Sequence, residues 1–80
     1  MTLVQLQYVL AVAEHKNFTI AADKSFVTQP TLSMQIQKLE KELNIDIFDR
    51  TSHPIKITQI GEKIVAQAKT ILMEANRMKH

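Results

Sequence analysis

The sequence predicts a mainly α-helical domain in which three helices are followed by a short two-stranded hairpin and then by a long last helix. Three observations predict it. Apolar residues recur at intervals of three and four in separate segments, the spacing of one helix face. Between Ile45 and Ile57 that period gives way to alternation, the spacing of a strand. Residues whose side chains cap helices stand where the periodic segments begin.

The first helix is expected from Thr2 to about Glu14. Thr2 and Gln5 have the spacing of a capping box, and Leu3, Leu6, Val9, Leu10 and Ala13 form its stripe. His15-Lys16-Asn17 is a polar break, and Asn17 can cap a second helix from Phe18 to about Ser25. The small pair Ala21-Ala22 lets another helix approach this one closely. Phe26-Val27-Thr28 is a short turn. Thr28 caps a third helix running to about Leu43, with Pro30 in the first turn, where a missing N–H costs nothing. Leu32, Ile36, Leu39 and Leu43 form its apolar stripe. Asn44 takes the left-handed stop position. Ile45, Ile47 and Phe48-Asp49-Arg50 read as one short strand and Ile55-Lys56-Ile57 as its antiparallel partner, around the turn Thr51-Ser52-His53-Pro54. Thr58 caps the last helix, with Glu62 in its first turn. No terminator follows Asn76, so the helix is expected to continue in a longer parent chain.

Composition excludes several classes of function. Eighty residues make one small domain with a modest core, which a partner subunit would enlarge. There is no cysteine, so disulfides, thiolate chemistry and cysteine zinc sites are excluded. His15, His53 and His80 are too scattered for a metal box. No nucleophile stands beside a base and no glycine loop cradles phosphate, so neither an enzyme nor a cofactor is expected. The absence of a signal peptide and of any membrane-length apolar run fits a reducing cytoplasm. The net charge of +2 decides little; where the charges sit decides more.

Two short helices joined by a three-residue turn are the helix-turn-helix arrangement, and the hairpin after them is what a wing would be. The fold class is therefore a winged helix-turn-helix over residues 1–58, followed by a linker or dimerisation helix over residues 59–80. With the apolar stripe of the third helix turned to the core, the opposite face carries Pro30, Ser33, Met34, Gln37, Lys38 and Lys41 and no acid; Glu40 and Glu42 fall on the flanks. A face that approaches phosphates needs that absence, because a carboxylate there would repel them. The simpler reading, a solvated amphipathic helix, loses ground to the turn before it and the wing after it. The candidate DNA contacts are Thr28, Gln29, Pro30, Thr31, Ser33, Met34, Gln37 and Lys38 in the helix, and Arg50, Thr51, Ser52, His53 and Lys56 in the wing. Arg50 and Lys56 can reach phosphates; His53 either enters the minor groove or sits in water. In the last helix Gly61, Ile64, Val65, Ala68, Ile71, Leu72, Ala75 and Met78 form a stripe too long for so small a core, which points to a partner helix in a homodimer.

The runs Phe18-Thr19-Ile20-Ala21-Ala22, Val27-Thr28-Gln29-Pro30-Thr31-Leu32-Ser33 and Gln35-Ile36-Gln37-Lys38-Leu39-Glu40 resemble the signature of LysR-type transcriptional regulators. So do Leu43-Asn44-Ile45, Phe48-Asp49-Arg50-Thr51 and Thr58-Gln59-Ile60-Gly61. Glu14-His15, Ala21-Ala22-Asp23, Thr58-Gln59 and Gln67-Ala68 are similar to the OxyR-like, peroxide-responsive branch. The resemblance implies a sequence-specific regulator that binds double-stranded DNA as a homodimer, with contacts at Gln29, Pro30, Ser33, Met34, Arg50 and position 53. It also implies a downstream domain, absent here, that binds a small-molecule or redox effector. Position 53 is often Arg in the family and is His53 here; position 34 is often Arg or small and polar, where Met34 offers contact to a thymine methyl. Ser25 stands where a larger apolar residue is usual, and Asn44 replaces the usual Gly. The alternative is a winged-helix assembly module that does not bind DNA.

Overall fold

Every helix begins at a residue whose side chain accepts a hydrogen bond from the backbone three positions on. In the computed structural model, which describes residues 1–79, Thr2 accepts from the Gln5 amide at 3.1 Å and Gln5 Oε1 accepts from the Thr2 amide at 3.0 Å. Asn17, Thr28 and Thr58 accept from Ile20, Thr31 and Gly61 in the same way. These caps satisfy amides that the first helical turn leaves open. The helices are α1 (Leu3–His15), α2 (Phe18–Lys24), α3 (Gln29–Leu43) and α4 (Gln59–Arg77). His80, the last position of the 59–80 segment, lies outside the described residues.

α1 and α3 end at residues in the left-handed conformation, Lys16 (φ 52°) and Asn44 (φ 56°). After α3 the Ile45 amide donates to the Glu40 carbonyl and the Asn44 amide to the Lys41 carbonyl, the paired bonds of a Schellman stop. Ser25 falls just outside α2, where its amide closes the last turn on Ala21 and Ala22.

α1 lies against α2, α3 and α4. The core between them holds Leu6, Val9 and Val12 from α1, Leu32, Ile36 and Leu39 from α3, and Val65 and Ala68 from α4. Ala21 and Ala22 are fully enclosed, as their small size requires where α2 meets both neighbours. Leu43, expected in the core stripe, is only half-buried. Glu40, expected on the flank, is buried instead.

The hairpin is shorter than its alternation predicts. Only β1 (Phe48–Asp49) and β2 (Lys56–Ile57) pair, antiparallel, with Phe48 opposite Ile57 and Asp49 opposite Lys56. The flanking isoleucines have other partners. The Ile45 amide finishes α3, the Ile47 carbonyl accepts from the Thr58 amide at 2.9 Å, and the Ile55 amide donates to the Lys16 carbonyl at 3.1 Å. That last bond ties the wing to the α1–α2 junction.

Gly61 brings α4 onto this hairpin. A Cβ at Gly61 would stand 2.2 Å from the Ile47 carbonyl oxygen, so only glycine permits the approach. Among the described residues no helix is long and apolar enough to cross a membrane, and no three His, Cys, Asp or Glu side chains gather to hold a metal.

Candidate nucleic-acid interface

The start of α3 is fixed by its own threonines. Thr28 Oγ1 accepts the Thr31 amide and donates to Thr31 Oγ1 at 2.9 Å. Gln29, Pro30, Thr31, Met34, Gln37, Lys38 and Lys41 then stand exposed, with Ser33 half-buried among them. The two carboxylates of α3 are turned elsewhere. Glu42 pairs with the N-terminal amine at 2.6 Å, and Glu40 is buried beneath the wing. The outward face of α3 is thus hydrogen-bonding side chains and two ammonium groups interrupted by the apolar Pro30 and Met34, with no acid.

A groove of about 630 Å³ separates that face from the wing. Gln29 and Ser33 line one wall, Arg50 and His53 the other, and Lys16 and Asn17 its end, again without a carboxylate. An anionic strand meets hydrogen-bond donors and positive charge there and no fixed repulsion.

The wing's expected contacts divide. His53 and Lys56 are exposed. Thr51 and Ser52 turn back onto Asp49, which accepts from the Thr51 amide at 2.9 Å, the Thr51 hydroxyl at 2.6 Å and the Ser52 hydroxyl at 3.4 Å. A hydroxyl has one proton to give, so Thr51 has none left for a phosphate. These bonds, the Thr51 hydroxyl first and its amide second, hold the Asp49 carboxyl below the ordinary carboxylate range; the nearby Lys56 charge acts in the same direction and partial desolvation opposes them.

Arg50 is engaged inside the protein. Its Nη2 lies 2.8 Å from Glu40 Oε1, and its guanidinium carbon sits 5.0 Å from the centre of the Phe18 ring. The side chain is 31% exposed. Its charge is met within the protein before any phosphate arrives.

The sequence reading missed Glu40, Asp49 and Phe18. Two of them carried a signal. Glu40 follows Ile36 by four residues and so sits on the apolar stripe, where a carboxylate needs a buried partner. Asp49 precedes Thr51 by two, the spacing of an Asx turn.

α4 divides the residues of the expected dimer stripe by burial. Gly61, Val65 and Ala68 are buried within the chain, and half-buried Leu72 packs against the same core. Their surface is covered by their own domain: Gly61 lies on the Ile47 carbonyl, and Val65, Ala68 and Leu72 join the core that α4 shares with α1. Ile71 and Met78 stay exposed, with Ile64 and Ala75 intermediate. Ile60 and Gln67, absent from the expected stripe, are exposed beside them.

A family model described as bacterial regulatory helix-turn-helix protein, lysR family, matches residues 3–62. The chain belongs to the LysR family. Over 79 residues this LysR-family chain is 47% identical to the DNA-binding transcriptional dual regulator OxyR of Escherichia coli K12, a match covering 99% of the chain and 26% of that protein. It therefore spans about a quarter of the length of such relatives. The crystal structure of the BenM DNA-binding domain with catB site 1 DNA superposes with a TM-score of 0.94 at 44% identity, covering 98% of this chain and 84% of that one. The CbnR DNA-binding domain in complex with DNA gives 0.93 at 38% identity, covering 99% and 91%.

Proposed function

We propose that this LysR-family chain binds duplex DNA in a sequence-specific manner as a homodimer, and so regulates transcription in the cytoplasm rather than catalysing a reaction. Residues 1–58 form the DNA-binding unit and α4 the pairing helix. The outward face of α3 carries the reading: it is exposed, rich in hydrogen-bonding side chains and free of acid over its whole length. Gln29, Pro30, Thr31, Ser33, Met34 and Gln37 enter the major groove and meet base edges, with Met34 against a methyl group. Thr28 orders the first turn, Lys38 meets the backbone, and the wing brings His53 and Lys56 toward the next groove. The BenM and CbnR domains, solved on DNA, support this placement through their close likeness.

The pairing surface runs along exposed Ile60, Gln67, Ile71 and Met78 with half-buried Ile64 at its edge, a four-three spacing that matches a coiled-coil seam and places Glu74, paired with Arg77, between Ile71 and Met78.

Titration of random and selected duplexes at several salt concentrations tests the proposal. Lys38→Ala weakens binding to both and lowers the magnitude of the salt slope by about one, the release of one counterion. Gln29→Ala relaxes base preference while leaving the slope in place. Parent-like binding by both variants would overturn the groove assignment. A shallow salt dependence without base preference in the parent favours an assembly module.

A further inference from the structure

We infer that Glu40 and Arg50 form a clamp that sets where the wing stands relative to α3, and that Arg50 acts through this clamp rather than by touching a phosphate. One carboxylate of α3 holds both ends of β1. Glu40 Oε2 accepts from the amides of Ile47 and Phe48 at 2.7 and 3.3 Å, just before and within the strand. Glu40 Oε1 meets Arg50 at 2.8 Å, just beyond the strand. The Glu40 side chain is 7% exposed, so the pair works in poorly screened surroundings.

From there the guanidinium reaches a third element. It lies 5.0 Å from the ring of Phe18 in α2, and that ring meets Phe48 edge-on at 5.9 Å. Arg50 thereby joins α2, α3 and the wing at one point. Its planar fork suits this task, carrying charge to a carboxylate while stacking on an aromatic face. His53 and Lys56 are carried by the hairpin so held, so their distance from Gln29 and Ser33 is set by a contact that lies behind the interface.

The consequence for DNA rests on the binding reading above, but the clamp itself is measurable without DNA. Glu40→Gln, Arg50→Lys and the double variant Glu40→Gln/Arg50→Met are compared with the parent; the double variant leaves no charge buried alone and keeps an acceptor for the Ile47 and Phe48 amides. In the free protein, the Ile55 amide exchanges about tenfold faster in the variants, while the amides of α1 keep parent rates. Parent-like exchange at Ile55 in all three would overturn the clamp, whatever happens with DNA.

On a bound duplex, Glu40→Gln loses strand protection under the wing and keeps that under α3. Simple electrostatics demands the opposite, since the substitution removes a negative charge near the interface. Arg50→Lys, which preserves the charge, also loses the wing's protection. Full restoration by lysine, with a parent salt slope, would make Arg50 a phosphate contact and overturn the inference. If the parent protects no duplex, the DNA reading fails while the exchange measurement still decides the clamp.

Discussion

α3 and α4 are built alike and face the outside differently. Each starts at a threonine cap, and they run for 15 and 19 residues with apolar side chains at three-four spacing. α3 has one such stripe and buries most of it, leaving an outer face of amides, hydroxyls and ammonium groups around exposed Pro30 and Met34. α4 has two stripes set one residue apart. Gly61, Val65, Ala68 and Leu72 face its own domain; Ile60, Ile64, Gln67, Ile71 and Met78 lie along the adjacent, more open face. A helix that approaches a polyanion clears its acids; a helix that approaches another helix leaves apolar surface uncovered.

The comparison breaks most readily at Gly61. If that residue belongs to the inner stripe, Gly61→Ala forces its Cβ into the Ile47 carbonyl and destabilises the fold by roughly 1–3 kcal/mol. Urea denaturation measures this loss, and the same decrement is expected at high and low protein concentration. A decrement that disappears on dilution would move Gly61 to the intermolecular side.

Ile71 sharpens the other half. Ile71→Glu places a charge in the outer row, and the dimer dissociation constant rises at least about tenfold, equal to ~1.4 kcal/mol. Sedimentation equilibrium reads it, with helix content unchanged. If the monomer loses its fold instead, the outer row is part of the core after all.

The smallest expected effect separates the wing from both helices. Asp49 has a lowered pKa in the folded chain, so its ionised form is favoured by folding. The resulting support for the wing is present above the ordinary carboxylate pKa and is lost as pH falls through the lower, folded value. Acid titration followed at the Thr51 amide is expected to release that residue below the usual aspartate range, with α3 and α4 unaltered. A Thr51 amide that titrates at an ordinary aspartate value would remove Asp49 as the wing's organiser.

Much of the scaffold was legible because helix starts are local. Thr2, Asn17, Thr28 and Thr58 each cap through an atom three residues away, a distance any sequence displays. Asn44 likewise announced the end of α3. The candidate interface was legible only on α3, where a single helical period separates inside from outside. In the wing it was not, because the roles of Arg50, Thr51 and Ser52 are set by partners. Arg50 was assigned to phosphate because its charge is visible in sequence, whereas its pairing with Glu40 is tertiary. The two stripes of α4 merged into one for a related reason. Residues one apart differ by only 100° around a helix, and only the position of α1 separates them. The flanking isoleucines lengthened the expected strands because alternation reports burial and is silent on which carbonyl each amide finds.

The bond from the Ile55 amide to the Lys16 carbonyl has a thermodynamic consequence for recognition. A loop fastened at its far side to the helical body surrenders its conformational freedom when the chain folds. Little is left to surrender at the moment of docking, so the association constant is not eroded by freezing the loop. Cutting that tether while preserving every side chain of the proposed DNA face is expected to show as a larger entropic loss on binding, with the contacts themselves unchanged.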